Sequence, residues 1–114
     1  MLPARHRLET YQEIERVKKK GELYQTSLFG LLVLKNQTSD LTRFDFIVSL
    51  KISPKSTIRN RIKRLLAEAI SERLIKISPG FDLVFLAKKT IIGKNLKEIK
   101  KEVDTVFGKA GLLV

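Results

Sequence analysis

The stretch "IRNRIKRLLAEAI", Ile58 to Ile70, decides how this chain folds and what it meets. Of the six residues from Arg59 to Arg64, four are cations, and the other two are Asn60 and Ile62. At roughly 100° per residue, Ile58, Ile62, Leu65, Leu66 and Ala69 fall in one apolar stripe. Asn60, Lys63 and Arg64 lie opposite, and Arg59 and Arg61 flank the stripe on either edge. The pattern predicts a helix that docks through its stripe and offers a polar ridge. Four like charges within two turns repel one another unless an anion lies against them. Arginine forks match phosphate bidentately, lysine adds a mobile point charge, and Asn60 can donate to and accept from a sugar or base edge. Acids are missing from the first half of the helix; Glu68 and Glu72 come only later.

The whole chain carries the same sign. Its 114 residues include 23 Lys plus Arg against 12 Asp plus Glu, a formal charge of +11 with a pI near 10.1. Such a balance points to a polyanionic partner, nucleic acid first and an anionic membrane surface second. A charge serving solubility alone need not be so large. The hydrophobic share of 43% supports one real core and exceeds that of a disordered basic tail. One domain spanning residues 1–114 is expected.

No cysteine is present, which excludes disulfides and cysteine zinc sites and fits a reducing cytoplasm, the expected location. No apolar run approaches the roughly 20 residues of a membrane span. The opening "MLPARHRLET" has no apolar stretch behind its basic residues and does not read as a secretory signal.

Outward from the ridge, the remaining elements follow from period and punctuation. Thr10 and Glu13 have capping-box spacing, and Tyr11, Ile14 and Val17 share a face, so a short first helix runs into "RVKKKG" and stops at Gly21. The preceding "ARHRL" reads as a basic arm without periodicity. "ELYQTS" is a short strand candidate. "LFGLLVLK", Leu28 to Lys35, is a continuous apolar run, as for a strand covered on both sides. "NQTSD", Asn36 to Asp40, is turn-forming. In "RFDFIVSLK", Phe44, Phe46, Val48 and Leu50 point one way and Arg43, Asp45, Ile47, Ser49 and Lys51 the other.

Ser53 before Pro54, or Ser56 slightly later, would cap the second helix, which is expected to reach about Ile77 before "SPG". "FDLVFLAKK" is a further strand and "TIIGKN" a loop. Asn95 with Glu98 caps a last amphipathic helix through Leu96, Ile99, Val103, Val106 and Phe107. The order is α-β-β-β-α-β-α, an α+β domain with a small mixed sheet and packed helices.

"RNRIKRLL" after a strand ending "VSLK" resembles the RNR motif of the bacterial ribonuclease P protein component. "RHRL" sits where that family has a basic arm, Gly21 falls at the turn after its first helix, and "PGFDLVFLAKK" resembles its last strand. The resemblance implies the same element order with a left-handed β-α-β crossover. It implies a protein subunit of an RNA-catalysed endoribonuclease, a hydrolase that removes the 5′ leader of precursor tRNA. Its partners would be ribonuclease P RNA and precursor tRNA, with no membrane and no obligate protein partner. Mg²⁺ would be required by the RNA, and the protein itself would hold no cofactor or metal.

Carried over residue by residue, Arg59, Asn60, Arg61, Lys63 and Arg64 would grip the catalytic RNA, with Arg5 and Arg7 from the arm and Lys51 from the strand end. A leader cleft between first helix and sheet would involve Tyr11, Ile14, Lys18, Phe29 and Leu32. Ile14 and Lys18 stand where the family usually has phenylalanines, and Leu32 replaces a common tyrosine. Leu50–Lys51 replaces the usual Lys-Lys, and "SPKST" is longer than the family's turn. These departures bear on the stacking of leader bases and leave the cationic helix intact.

Two alternatives concern the residues themselves. Phe44 and Phe46 could stack bases, but Val48 and Leu50 continue their face, which favours core packing. A protein-borne nuclease would need a metal cluster or general acid–base groups. His6 is the single histidine and reads as a surface or RNA-contacting residue; Asp40, Asp45, Asp82 and Asp104 are scattered. A ribosomal-type structural RNA binder remains the alternative function. A DNA-binding helix module lacks its short partner helix, and membrane binding would take the apolar stripe that the core needs.

Overall fold

A computed structural model describes residues 4–36 and 41–113. The elements are α1 (Tyr11–Lys20), β1 (Glu22–Gln25), β2 (Phe29–Lys35), β3 (Arg43–Ile47), α2 (Ser56–Ser71), β4 (Phe81–Ala87) and α3 (Leu96–Lys109). Short 3-10 turns cover Ala4–His6, Leu74–Lys76 and Lys89–Ile91. The chain is a single small α+β domain whose four-stranded mixed sheet has the order β1-β2-β4-β3. β1 pairs antiparallel with β2, β2 antiparallel with β4, and β3 parallel with β4. The expected strand covered on both sides is β2, next to the centre.

Alternation along β2 and β4 sends side chains into two apolar layers. Phe29, Leu31, Leu83 and Phe85 join Phe44 beneath α2 and α3, together with Ile62, Leu66, Ile70, Ile99, Val103, Val106 and Phe107. Leu32 and Val84 face the other way, under Val17 of α1 and Leu8 of the arm. Phe85 is the hub of the larger layer, with ring centroids 5.2 Å from Phe29, 5.4 Å from Phe46 and 6.2 Å from Phe107. Pairs at these separations add roughly 0.5–1.5 kcal/mol each beyond area burial. Phe44 is therefore a core ring, and Phe46 packs half-buried against the same layer, as the core reading of this face expects.

Local chemistry sets most boundaries. α1 and α3 both open with complete capping boxes, Thr10–Glu13 and Asn95–Glu98. α1 stops at Gly21 for a steric reason. Gly21 has an ordinary φ of −70°, but a Cβ there would lie 2.5 Å from the Val17 carbonyl oxygen.

Three expectations are corrected. α2 ends at Ser71 and does not reach Ile77, because the chain must turn back toward β4. Arg73 closes a 3-10 turn with Lys76, and Ile77 lies extended in a bridge with Leu113. Neither Ser53 nor Ser56 caps α2: Lys55 is its N-cap without a side-chain bond, and the Ser53 hydroxyl accepts from the Lys55 amide at 3.2 Å. β3 stops at Ile47, so Leu50 leaves the apolar face. A turn closed by Ile52 N–H to Ser49 C=O at 3.0 Å leaves Leu50 70% exposed.

The arm is tied down as well. Arg7 bridges Phe44 in parallel, the Leu8 amide donates to the Phe44 carbonyl at 2.9 Å, and the Leu8 side chain is buried. His6 Nδ1 lies 2.9 Å from the Thr42 carbonyl, so that nitrogen carries the proton. Of the "NQTSD" turn only Asn36 is described; the rest, Asp40 included, lies outside the described residues.

Candidate nucleic-acid interface

α2 is held by its apolar stripe. Ile62 and Leu66 are buried, Ile58 and Leu65 half-buried, and the helix packs on α3 and β3. The opposite side is left to Asn60, Lys63 and Arg64, all exposed, which with Thr57 line one open depression. Arg61 is exposed at one border. Arg59 is half-buried at the other, where its Nη1 donates to the Ser53 carbonyl at 2.9 Å. The wheel reading is thus reproduced, with one refinement: Arg59 spends part of its donor set on the chain itself.

The charges on this ridge form no salt bridge among the described residues. Ion pairs among the described residues use Glu13, Glu15, Glu72, Asp82 and Asp104, and none involves Arg59, Arg61, Lys63 or Arg64. The first turn of α2 carries no acid. Arg59 closes the first turn of α2, near the positive end of the backbone dipole, and Arg61, Lys63 and Arg64 lie further along the helix. The Lys63 charge acts on one acid, Asp45 on β3. Its pKa is raised by burial, against the opposing pull of the Phe46 amide and the Lys63 charge.

α3 differs. Arg73 grips Asp104 through Nε at 2.6 Å and Nη2 at 2.9 Å, and Lys100 pairs with Glu72. Those cations fasten α3 to the end of α2 and are spent.

Lys51 is exposed on the turn before α2, and Arg5 and Arg7 are exposed on the arm. The arm bridges β3 and α2 packs on β3, so these cations share the β3 margin of the sheet with the ridge. On the other face, Ile14 is half-buried over the layer that holds Leu32, which is itself buried. Tyr11 stands 76% exposed and Lys18 is exposed, its ammonium 3.4 Å from Glu15. Tyr11, Ile14 and Lys18 thus follow one edge of α1. Phe29 does not join them. It is fully buried on the opposite face of the sheet, which corrects its place in the cleft.

A buried ionic cluster behind α1 has no counterpart in the sequence reading. Asp82 on β4 is 2% exposed and accepts from Arg43 Nε at 3.1 Å, Arg43 Nη2 at 3.0 Å and Asn36 Nδ2 at 3.1 Å. The remaining Arg43 nitrogen, Nη1, donates to Glu13, the capping-box acid of α1. Desolvation pushes the Glu13 carboxyl up. Bonds from Thr10 and the Arg43 charge outweigh it and hold Glu13 below its ordinary range. The cluster fixes the start of α1 on the sheet. Its signal was an acid inside the apolar run "FDLVFLA".

Among the described residues no group of three or more His, Cys, Asp or Glu could hold a metal ion, and no helix is long and apolar enough to cross a membrane.

Comparison with known proteins places this geometry. The family model described as Ribonuclease P matches residues 2–111. The "Ribonuclease P protein component" of Synechocystis sp. is 34% identical, over 98% of this chain and 90% of that protein. Its namesake from Clostridium kluyveri is 37% identical, over 94% of this chain and 96% of that one. Among solved structures, the RNase P protein of Staphylococcus aureus superposes with a TM-score of 0.86 at 22% identity, covering 96% of this chain and 98% of that one. The Thermotoga maritima RNase P protein gives 0.81 at 24% identity, covering 90% and 96%. These two likenesses concern the fold, which is the one read from the periodicity. With the family model spanning nearly the whole chain and relatives above 30% identity at full coverage, this chain belongs to the ribonuclease P protein family.

Proposed function

We propose that this chain is the protein subunit of a ribonuclease P, and that it holds the catalytic RNA along the ridge of α2. One observation carries the reading: four cations within six residues of a helix, none of them in an ion pair among the described residues. Phosphates remove the mutual repulsion of these side chains. Lys51, Arg5 and Arg7 extend the positive margin.

The same reading gives the 5′ leader of precursor tRNA to the edge of α1 marked by Tyr11, Ile14 and Lys18. The protein lowers phosphate repulsion between two RNAs, and the RNA performs the hydrolysis with its own Mg²⁺. Asp82, Asp104 and Glu13 support this division of labour, since each already serves as a counter-ion within the fold. No cofactor and no further protein are needed for that role, and the reaction is a cytoplasmic one.

Reconstitution tests it. A bacterial ribonuclease P RNA and precursor tRNA at low Mg²⁺ should give correct 5′ cleavage only when the protein is added. Arg61→Ala and Arg64→Ala should each weaken RNA binding and lower the log–log salt slope by about 0.7–0.9, with unchanged circular dichroism. Tight RNA binding without stimulated cleavage would instead favour a structural, ribosomal-type RNA binder.

A further inference from the structure

The turn that leads into α2 carries an apolar residue at its apex. Leu50 is 70% exposed between Ser49 and Lys51, in a loop that continues to Lys55. A single exposed leucine is ordinary on a protein surface. This one is held in a defined geometry. Val48 before it and Ser53 after it are buried, and Ile52 packs against the larger apolar layer. The Ile52 amide closes the turn on the Ser49 carbonyl at 3.0 Å. Arg59 then pins the loop to the helix, its Nη1 donating to the Ser53 carbonyl at 2.9 Å.

We propose that Leu50 is a non-ionic contact of the RNA interface, packing on an unpaired base or ribose of the RNA held by α2, and that Arg59 is a positioning residue that fixes this contact. The inference rests on the RNA reading of α2. Charge selects the partner: Leu50 is flanked by Lys51 and Lys55, both exposed and neither in an ion pair among the described residues, so the surface around it favours a polyanion. Pre-organisation makes one apolar side chain worth having, because little freedom remains to be lost on binding. A leucine covered on one side by a base gives a loss of about threefold to tenfold when removed. It leaves no trace in the salt slope, since no counterion is released.

The full-length protein and a transcribed bacterial ribonuclease P RNA suffice for the test, with affinity measured across a salt series. Leu50→Ser should bind about threefold to tenfold more weakly at every salt concentration, with the wild-type slope. Lys51→Ala should lower the slope by about 0.7–0.9. Arg59→Gln should lose more than Leu50→Ser and lower the slope as well, since it removes a cation, but Leu50→Ser added to Arg59→Gln should cost less than Leu50→Ser alone. Circular dichroism and denaturant midpoints restrict the comparison to folded protein. Wild-type affinity in Leu50→Ser, or losses that multiply in the double variant, would overturn the inference. If Leu50→Ser alone is silent while Arg61→Ala weakens binding, the α2 reading stands without it. If the wild-type chain shows no salt-dependent binding, the α2 reading falls, and this inference with it.

Discussion

Arg43 and Asp82 sit in direct register across the parallel β3–β4 pair, and the guanidinium closes on the carboxylate with two bonds, at 3.1 and 3.0 Å. The third contact of Arg43 goes to Glu13, so one side chain joins both strands to the start of α1. Removing one partner of a buried pair leaves the other charged and desolvated. Arg43→Ala should therefore lower the unfolding free energy by about 3 kcal/mol, measured by urea denaturation. Arg43→Lys should restore only part of that, because an ammonium cannot reproduce the fork. A loss below about 1 kcal/mol would mean that the pair behaves as a surface one.

Acid should weaken the fold. Hydrogen bonding to Arg73, against partial desolvation, holds Asp104 below its usual 3.8. Glu13 is held below its usual 4.5. A carboxyl whose folded pKa is depressed stabilises the protein above its unfolded pKa and loses that contribution as pH falls through the folded one. Melting temperatures should change little from neutral to about pH 5 and drop below about pH 4. Glu13→Gln should show a smaller drop than wild type. Equal drops would remove Glu13 from the acid transition.

Gly21 and Gly80 should resist alanine for different reasons. At Gly21 the added methyl meets the Val17 carbonyl at 2.5 Å, and the close approach should cost about 1–3 kcal/mol. At Gly80 space is open but φ is +87°, and the cost should be about 1 kcal/mol. Denaturant midpoints rank the two, and a neutral Gly21→Ala would show that α1 can shift away.

The edge of α1 lacks the aromatic rings that the resemblance leads one to expect there. Lys18→Phe puts a ring one helical turn from Ile14, on the exposed side. Stacking on a leader base is worth roughly 1–3 kcal/mol. The variant should raise the affinity ratio of leader-bearing precursor over mature tRNA several-fold, read by competition binding to the reconstituted holoenzyme. An unchanged ratio would place the leader elsewhere.

Elements whose pattern is local were legible from residues alone. Both capping boxes, the apolar run of β2 and the ridge of α2 were read from neighbours three or four positions apart. What escaped depended on partners far along the chain. The sequence reading carried α2 past its end because no breaker stands before "SPG"; the chain leaves the helix to bridge Leu113 and pair Arg73 with Asp104. Alternation carried β3 to Leu50, yet no strand faces it beyond Ile47. Asp82 gave a local anomaly without naming Arg43, which lies 39 residues away. Phe29 could have faced either side until the register with β4 fixed it. The hand of the crossover from β3 to β4 was never legible in pattern, since periodicity carries no hand.

The last strand to be synthesised, β4, lies inside the sheet between β2 and β3. On a ribosome, the β1–β2 hairpin can form early, but β3 has no partner strand in the sheet until Phe81–Ala87 has emerged. Until that moment two strand edges and both apolar layers stand open, and the long-range pairings dictate slow closure. A nascent chain stalled before residue 87 would thus expose surfaces that the finished protein never shows, and it would need shielding from its own copies.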